Sequence, residues 1–372
     1  MTRYYIADPA AEESIERHFT VLDRYFYLDQ PTYIVNPLDP ENPRQSVKTG
    51  FQLLVEELRP LGYLPRLRRD VDRYLINLVR APPPTQPNYS RNLILFAITT
   101  VTIFIDGYLR SNNPLLLQIL MPDTPVFMNA LYFTLAILAV FGLHELGHKA
   151  VTMLRGIEAS MPYFIPAPPG MGGTFGAVIT MKEPPTNRDA LFDLGLSGPL
   201  VGFLVTILVI VIGLNLSFVV PMEEVNAWMA TYPEIRFQYI PFPLIFELIS
   251  SIVRPVPDGM VLILHPVGFA AWVGSIITFI NLIPAWQLDG GHISRALLGR
   301  HYHRISSIVG ILLMILSGFF MMAVMVAFFM MRTDDRAGGP LDDISPLSTS
   351  RKLMVLVYVG MVILTLVNLF PL

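Results

Sequence analysis

The sequence has no cysteine among its 372 residues. Disulfides and thiolate metal centres are therefore excluded, and any metal must be held by His, Asp or Glu. Charge is scarce as well. Only 15% of residues are Asp, Glu, Lys or Arg, against 53% apolar, and mean hydropathy is +0.51. Soluble domains carry about 25% charged residues, so the deficit points to a chain built for lipid. The net charge of -3 offers no basic surplus for nucleic acid, and none is expected as a partner. Met1 to Asp72 lacks the apolar stretch a signal peptide requires, so none is expected.

The charges that are present crowd toward one end. The first 80 residues hold 23 of the 55, which predicts a soluble N-terminal module. Ala81-Pro82-Pro83-Pro84-Thr85-Gln86-Pro87 reads as a stiff linker that resists helix. The expected division is therefore 1–88 for module and linker and 89–372 for a membrane domain. Helical spacing in Phe51–Leu58 and Val71–Val79 predicts two helices in the module. Its histidine, His18, reads as an ordinary surface residue.

Long apolar runs follow. A spanning helix needs roughly 20 mostly apolar residues. Candidates are 92–109, 126–153, 191–216, 261–283, 305–331 and 353–372. The expected fold is thus an all-α polytopic membrane protein of about six spans, with a small β element between spans 2 and 3. Arg66, Arg68, Arg69 and Arg80 precede the first span, Lys149, Arg155 and Arg188 lie between the second and third, and Arg295, Arg300 and Arg304 follow the fourth. The positive-inside rule puts those loops, and with them the N-terminus, in the cytosol. Arg351 and Lys352 fall on the opposite side in that scheme and run against the rule.

The second span leads into His144-Glu145-Leu146-Gly147-His148. Residues four apart share a helix face, so His144 and His148 can clamp one ion while Glu145 sits beside it as a base. This is the zincin arrangement. Alone the pattern is short and also fits paired surface histidines, but ionisable groups at a span end are costly and usually functional. A hydrolytic zinc keeps three protein ligands. Asp289 is the favoured third, in the stretch Asn281 to His292 at the end of the fourth span. His292 is a rival, or a support for Asp289 from behind. Thr174–Ile179 has strand-like residues and is expected to offer an edge for an unwound substrate, with Gly173, Thr174, Phe175 and Gly176 as substrate-binding residues. An ordinary loop hairpin is the other reading. Gly198 and Gly202, four apart, read as helix packing, and His265 as structural.

Taken together, Phe141–His148, Gly173–Ile179, Leu196–Gly202 and His265-Pro266 through Asn281-Leu282-Ile283-Pro284 to Leu288–His292 resemble the site-2 protease family of intramembrane zinc metalloproteases. The style is closest to the ethylene-dependent gravitropism-deficient branch. The resemblance covers roughly 92–372. It implies one zinc ion per chain held by His144, His148 and Asp289, with Glu145 catalytic and Asn281 holding substrate or the developing oxyanion. It implies cleavage of transmembrane protein substrates within the bilayer. Two readings compete: a prenyl-protein type protease with a downstream Glu ligand, Glu158 or Glu183, and a membrane zinc-binding transporter or scaffold without protease activity. Oligomeric state is left open.

Overall fold

The computed structural model describes residues 8–83, 89–113, 115–232, 239–332 and 339–367. The chain is mostly helical, with three small sheets among the described residues.

The N-terminal part runs α1 (Pro9–His18), β1 (Phe19–Tyr27), β2 (Gln30–Pro37), α2 (Pro43–Leu58), β3 (Tyr63–Asp70) and β4 (Arg73–Arg80). Asp8 caps α1 by accepting from the Ala10 amide at 3.1 Å, and Pro9 fills the first turn, where its missing N–H costs nothing. The strands form an antiparallel sheet in the order β1-β2-β4-β3. Helix α2 packs Phe51, Leu54 and Leu58 into a core with Tyr33, Leu67 and Ile76. The helix expected at Phe51–Leu58 is therefore part of α2. That expected at Val71–Val79 is β4 instead, pairing along its length with β3. The apolar run 74–79 is too short to distinguish the two periods, and pairing on both sides, with β2 and β3, fixes it as a strand. The four-stranded sheet also makes the chain less purely α than expected. Of the expected linker, residues 84–88 lie outside the described residues.

Among the described residues, three helices are long and apolar enough to cross a membrane: α3 (Tyr89–Ser111), α4 (Val126–Leu154) and α5 (Arg188–Leu216). Between α4 and α5, β5 (Tyr163–Pro166) and β6 (Thr174–Val178) form an antiparallel hairpin. It runs along α3: Asn92 Nδ2 donates to the Met161 carbonyl at 2.9 Å, and the Gly170 amide reaches the Asp106 carboxylate. At the end of α5 away from Arg188 lie β7 (Phe218–Pro221), α6 (Met222–Thr231), α7 (Leu244–Val253) and β8 (Met260–Ile263). The chain then returns through α8 (Pro266–Leu282). His265 caps α8, its Nδ1 accepting from the Val267 amide at 3.1 Å and its Nε2 facing Asn129 Oδ1 at 3.2 Å, a structural role.

Last come α9 (Asp289–Leu316), α10 (Phe320–Arg332) and α11 (Thr349–Thr365). α9 breaks at Gly299, whose φ of 75° lies outside helical space. The expected span 305–331 is not one helix. It stops at Leu316, turns, and restarts at Phe320. Met314, Ala323 and Val326 then pack together against Phe279 and Ile283 of α8 and its C-cap. Contacts on either side of this helical hairpin return to the start of α5. Gly299 abuts the Arg188 guanidinium, and beyond the hairpin Arg351 Nη2 donates to Asp193 Oδ2 at 2.9 Å. Arg351 thus meets Arg155, from the loop after α4, at the same carboxylate. Of the expected sixth span, residues 368–372 lie outside the described residues.

Candidate metal centre

Helix α4 is uncharged from Val126 to Leu143, then delivers His144, Glu145 and His148. Four residues are just over one turn, so both imidazoles leave one face. They converge, with His144 Nε2 3.2 Å from His148 Nε2. Asp289, the first residue of α9, sets Oδ2 3.3 Å from His144 Nε2 and Oδ1 3.3 Å from His148 Nε2. Two ligands of a tetrahedral zinc with bonds of about 2.0–2.1 Å stand about 3.3 Å apart, so the donor spacing fits such an ion. Imidazole and carboxylate are also the right donors where thiolate is absent. Among the described residues this is the one group of three such side chains close enough to share a metal.

The surroundings orient these donors. His148 Nδ1 stands 2.9 Å from the Leu194 carbonyl oxygen of α5. An oxygen acceptor places the ring proton on Nδ1, leaving the Nε2 lone pair toward Asp289 and His144. Helix α5 comes this close because Gly198 faces the ring: a Cβ there would collide with His148 Nε2, and one on Gly202 would stand 3.0 Å from His144 Nδ1. The glycine pair reads as packing in the sequence. The surface it accommodates is the imidazole pair itself.

A cavity of about 210 Å³ opens beside the three donors. Glu145, only 8% exposed, lines it with Asn281, Gln287 and His292. His292 lies near Asp289 without joining the group of three. Of the expected substrate edge, Ala177, Val178 and Ile179 line the cavity, while Gly173, Thr174, Phe175 and Gly176 are set back from it. Thr102 Oγ1 donates to the Gly173 carbonyl at 2.7 Å. Thr174 Oγ1 donates to the Ile165 carbonyl at 2.9 Å and accepts from the Gly176 amide at 3.0 Å. Phe175 is 59% exposed. The Leu194 carbonyl and Gln287 were not expected; a backbone acceptor leaves no trace in residue type. The rival carboxylates are engaged elsewhere, Glu158 with Lys182 at 3.6 Å and Glu183 with Arg59 at 3.1 Å.

Two buried histidines converging on a half-buried aspartate, with a buried glutamate beside them and apolar helices around, define a membrane metalloprotease class of site. Sequence comparison agrees: the profile of Peptidase family M50 matches residues 132–325, just over half the chain. The chain belongs to that family. It is 32% identical over 255 residues to a protein of Oryza sativa subsp. indica named probable zinc metalloprotease EGY2, chloroplastic, covering 67% of this chain and 43% of that one. It is 25% identical over 361 residues to a protein of Oryza sativa subsp. japonica named probable zinc metalloprotease EGY1, chloroplastic, covering 94% of this chain and 58% of the relative. The chain therefore spans about half the length of these curated relatives. No solved structure matches it.

Proposed function

We propose that the chain is a zinc-dependent intramembrane endopeptidase that hydrolyses peptide bonds within or near transmembrane segments of other membrane proteins. The observation that carries this reading is the convergence of His144, His148 and Asp289, from two separate helices, beside a buried glutamate and a cavity. His144, His148 and Asp289 would hold one zinc ion, which supplies Lewis acidity toward water and the scissile carbonyl. Glu145 takes the proton from the attacking water and returns it to the leaving amine. The Asn281 amide donates to the oxyanion as it develops. Apolar helices around the cavity limit bulk water. The open edge of β6 and its continuation to Ile179 holds the substrate extended, because a helical substrate hides its carbonyls in its own hydrogen bonds.

In the same proposal residues 1–88 are an N-terminal module with its linker, and 89–372 form the protease domain. Its six apolar segments embed in the bilayer, the fifth folded back as a hairpin. The basic loops, the N-terminus and the site face the cytosolic side.

Glu145→Ala should lower cleavage of a model transmembrane substrate by about 10²–10⁴-fold while zinc, read by elemental analysis, stays bound; undiminished turnover would sink the mechanism. Asp289→Ala should lose most of the metal, and His292→Ala should keep it. The reverse result would reassign the third ligand. Ion transport by the protein in liposomes, without any proteolysis, would favour the transporter reading.

A further inference from the structure

A second cavity, of about 550 Å³, lies where β3, the start of α5, the break in α9 and the segment Gly339–Ile344 converge. Its charge is lopsided. Arg66, Arg68, Arg69, Arg188, Arg295 and Arg300 line it, with Asp343 the one acidic residue among the described lining. Asp343 engages part of this charge. Arg295 Nη2 donates to its Oδ2 at 2.6 Å, Arg188 Nε stands 3.5 Å from its Oδ1, and Arg188 Nη2 donates to its backbone carbonyl at 2.5 Å. Arg69 is drawn aside to the Val71 carbonyl at 3.2 Å and Asp72 at 3.6 Å. Arg66, Arg68 and Arg300 face no carboxylate among the described residues.

Two further observations indicate a built site rather than a crowded surface. Arg295 is 5% exposed, yet its Nη1 has no hydrogen-bond partner among the described residues. A buried donor left unpaired is costly unless a ligand accepts from it. Secondly, backbone is removed from the path of the guanidinium groups. A Cβ on Gly299 would stand 2.8 Å from Arg188 Nη2, and one on Gly339 would stand 2.8 Å from Arg295 Nη2. Burial and the neighbouring Arg68 charge both lower the Arg66 pKa from arginine's ordinary value, the signature of cations crowded without enough counter-charge.

Guanidinium forks bind carboxylate and phosphate oxygens bidentately, and several of them converging on one concave site suit a tetrahedral phosphate, which offers oxygens in several directions. We propose that this pocket binds a phosphate-bearing anion, supplied either as the headgroup of an anionic lipid or as a free polyphosphate. The pocket joins the N-terminal sheet, through β3, to α9, which carries Asp289, and to α5, whose Leu194 carbonyl faces His148. Arg295 shares α9 with Asp289, and Arg188 shares α5 with Leu194. Occupancy ties those three elements together, and anion binding here does not depend on whether the chain cleaves peptides.

The test uses the purified full chain. Inorganic triphosphate is titrated calorimetrically into the protein in detergent. In a parallel arm, thermal melting is compared in nanodiscs of phosphatidylcholine with and without phosphatidylglycerol. Saturable triphosphate binding identifies a free polyphosphate, and stabilisation confined to phosphatidylglycerol discs identifies a headgroup. In either arm the effect should fall by about tenfold or more in Arg66→Gln/Arg68→Gln/Arg300→Gln and persist in Arg24→Gln, whose guanidinium pairs with Glu12 elsewhere. Arg300→Gln alone, at an exposed position, should show a smaller loss and guards against misfolding of the triple variant. No response in either arm, or an undiminished response in the triple variant, overturns the proposal.

Discussion

Gly198 shows how a residue without a side chain shapes a chemical site. The ring of His148 occupies the space that a methyl group on Gly198 would fill. Gly198→Ala should therefore push the ring away from Asp289 and strip the metal, with overpacking of about 1–3 kcal/mol. Gly142→Ala, on the same helix as the histidines, is the comparison: its Cβ would meet only Phe164 Cζ at 3.8 Å. Zinc content of the two variants separates the cases, and equal metal in both would refute the account. At this scale much of the candidate site was legible. His144, Glu145 and His148 announce themselves by spacing, and Asp289 by the resemblance and its place after a span. The Leu194 carbonyl was not legible, because every residue has one.

At the scale of elements, the β5–β6 hairpin is held by side chains expected to touch substrate. The Thr174 hydroxyl bridges Ile165 and Gly176, so it shapes the strand whose later residues line the cavity. Thr174→Val should cost about 1–2 kcal/mol of stability and lower cleavage with zinc retained; metal loss instead would place Thr174 in the centre's own support. The long helices α3 to α5 follow from the long apolar run that each contains. The return between α9 and α10 was hidden because Ser317 and Gly318 are two small residues within an otherwise continuous apolar run. Hydropathy averaged over about twenty residues passes over them. The β4 strand was missed for a related reason, since so short an apolar run carries no decisive period.

At the scale of the whole molecule, α2 and the N-terminal sheet are tied to the rest of the chain through specific contacts. Lys48 Nζ donates to Asp189 Oδ2 at 2.8 Å, and Arg59 Nη1 to the Gly156 carbonyl at 2.9 Å. The Leu67 amide donates to the Leu341 carbonyl at 2.9 Å, and the Leu341 amide to the Pro185 carbonyl at 2.9 Å. Within this part, Glu57 joins α2 to α1. The hydrogen-bonded His18 ring, with Arg17 beside it, holds the Glu57 carboxyl below its ordinary value. A depressed carboxylate pKa contributes stability above the ordinary value, and loses it as pH falls through the folded one. The advantage of wild type over Glu57→Gln should be complete at neutral pH and shrink as pH falls below about 4. Amide exchange of α1 across that range measures it, and a pH-independent difference would discount the pair.

The pairing of β3 with Leu341 also sets an order of events during synthesis. Lys48 and its acceptor at Pro346 are 298 positions apart, and Leu67 and Leu341 are nearly as distant. The ribosome therefore releases the sheet long before the segment that completes its outer edge exists. Through most of translation β3 presents unsatisfied amides and carbonyls, the condition under which strands recruit wrong partners. Arg66, Arg68 and Arg69 on that strand supply like-charge repulsion between nascent copies, so the cations that later face the second cavity first serve as a guard against association.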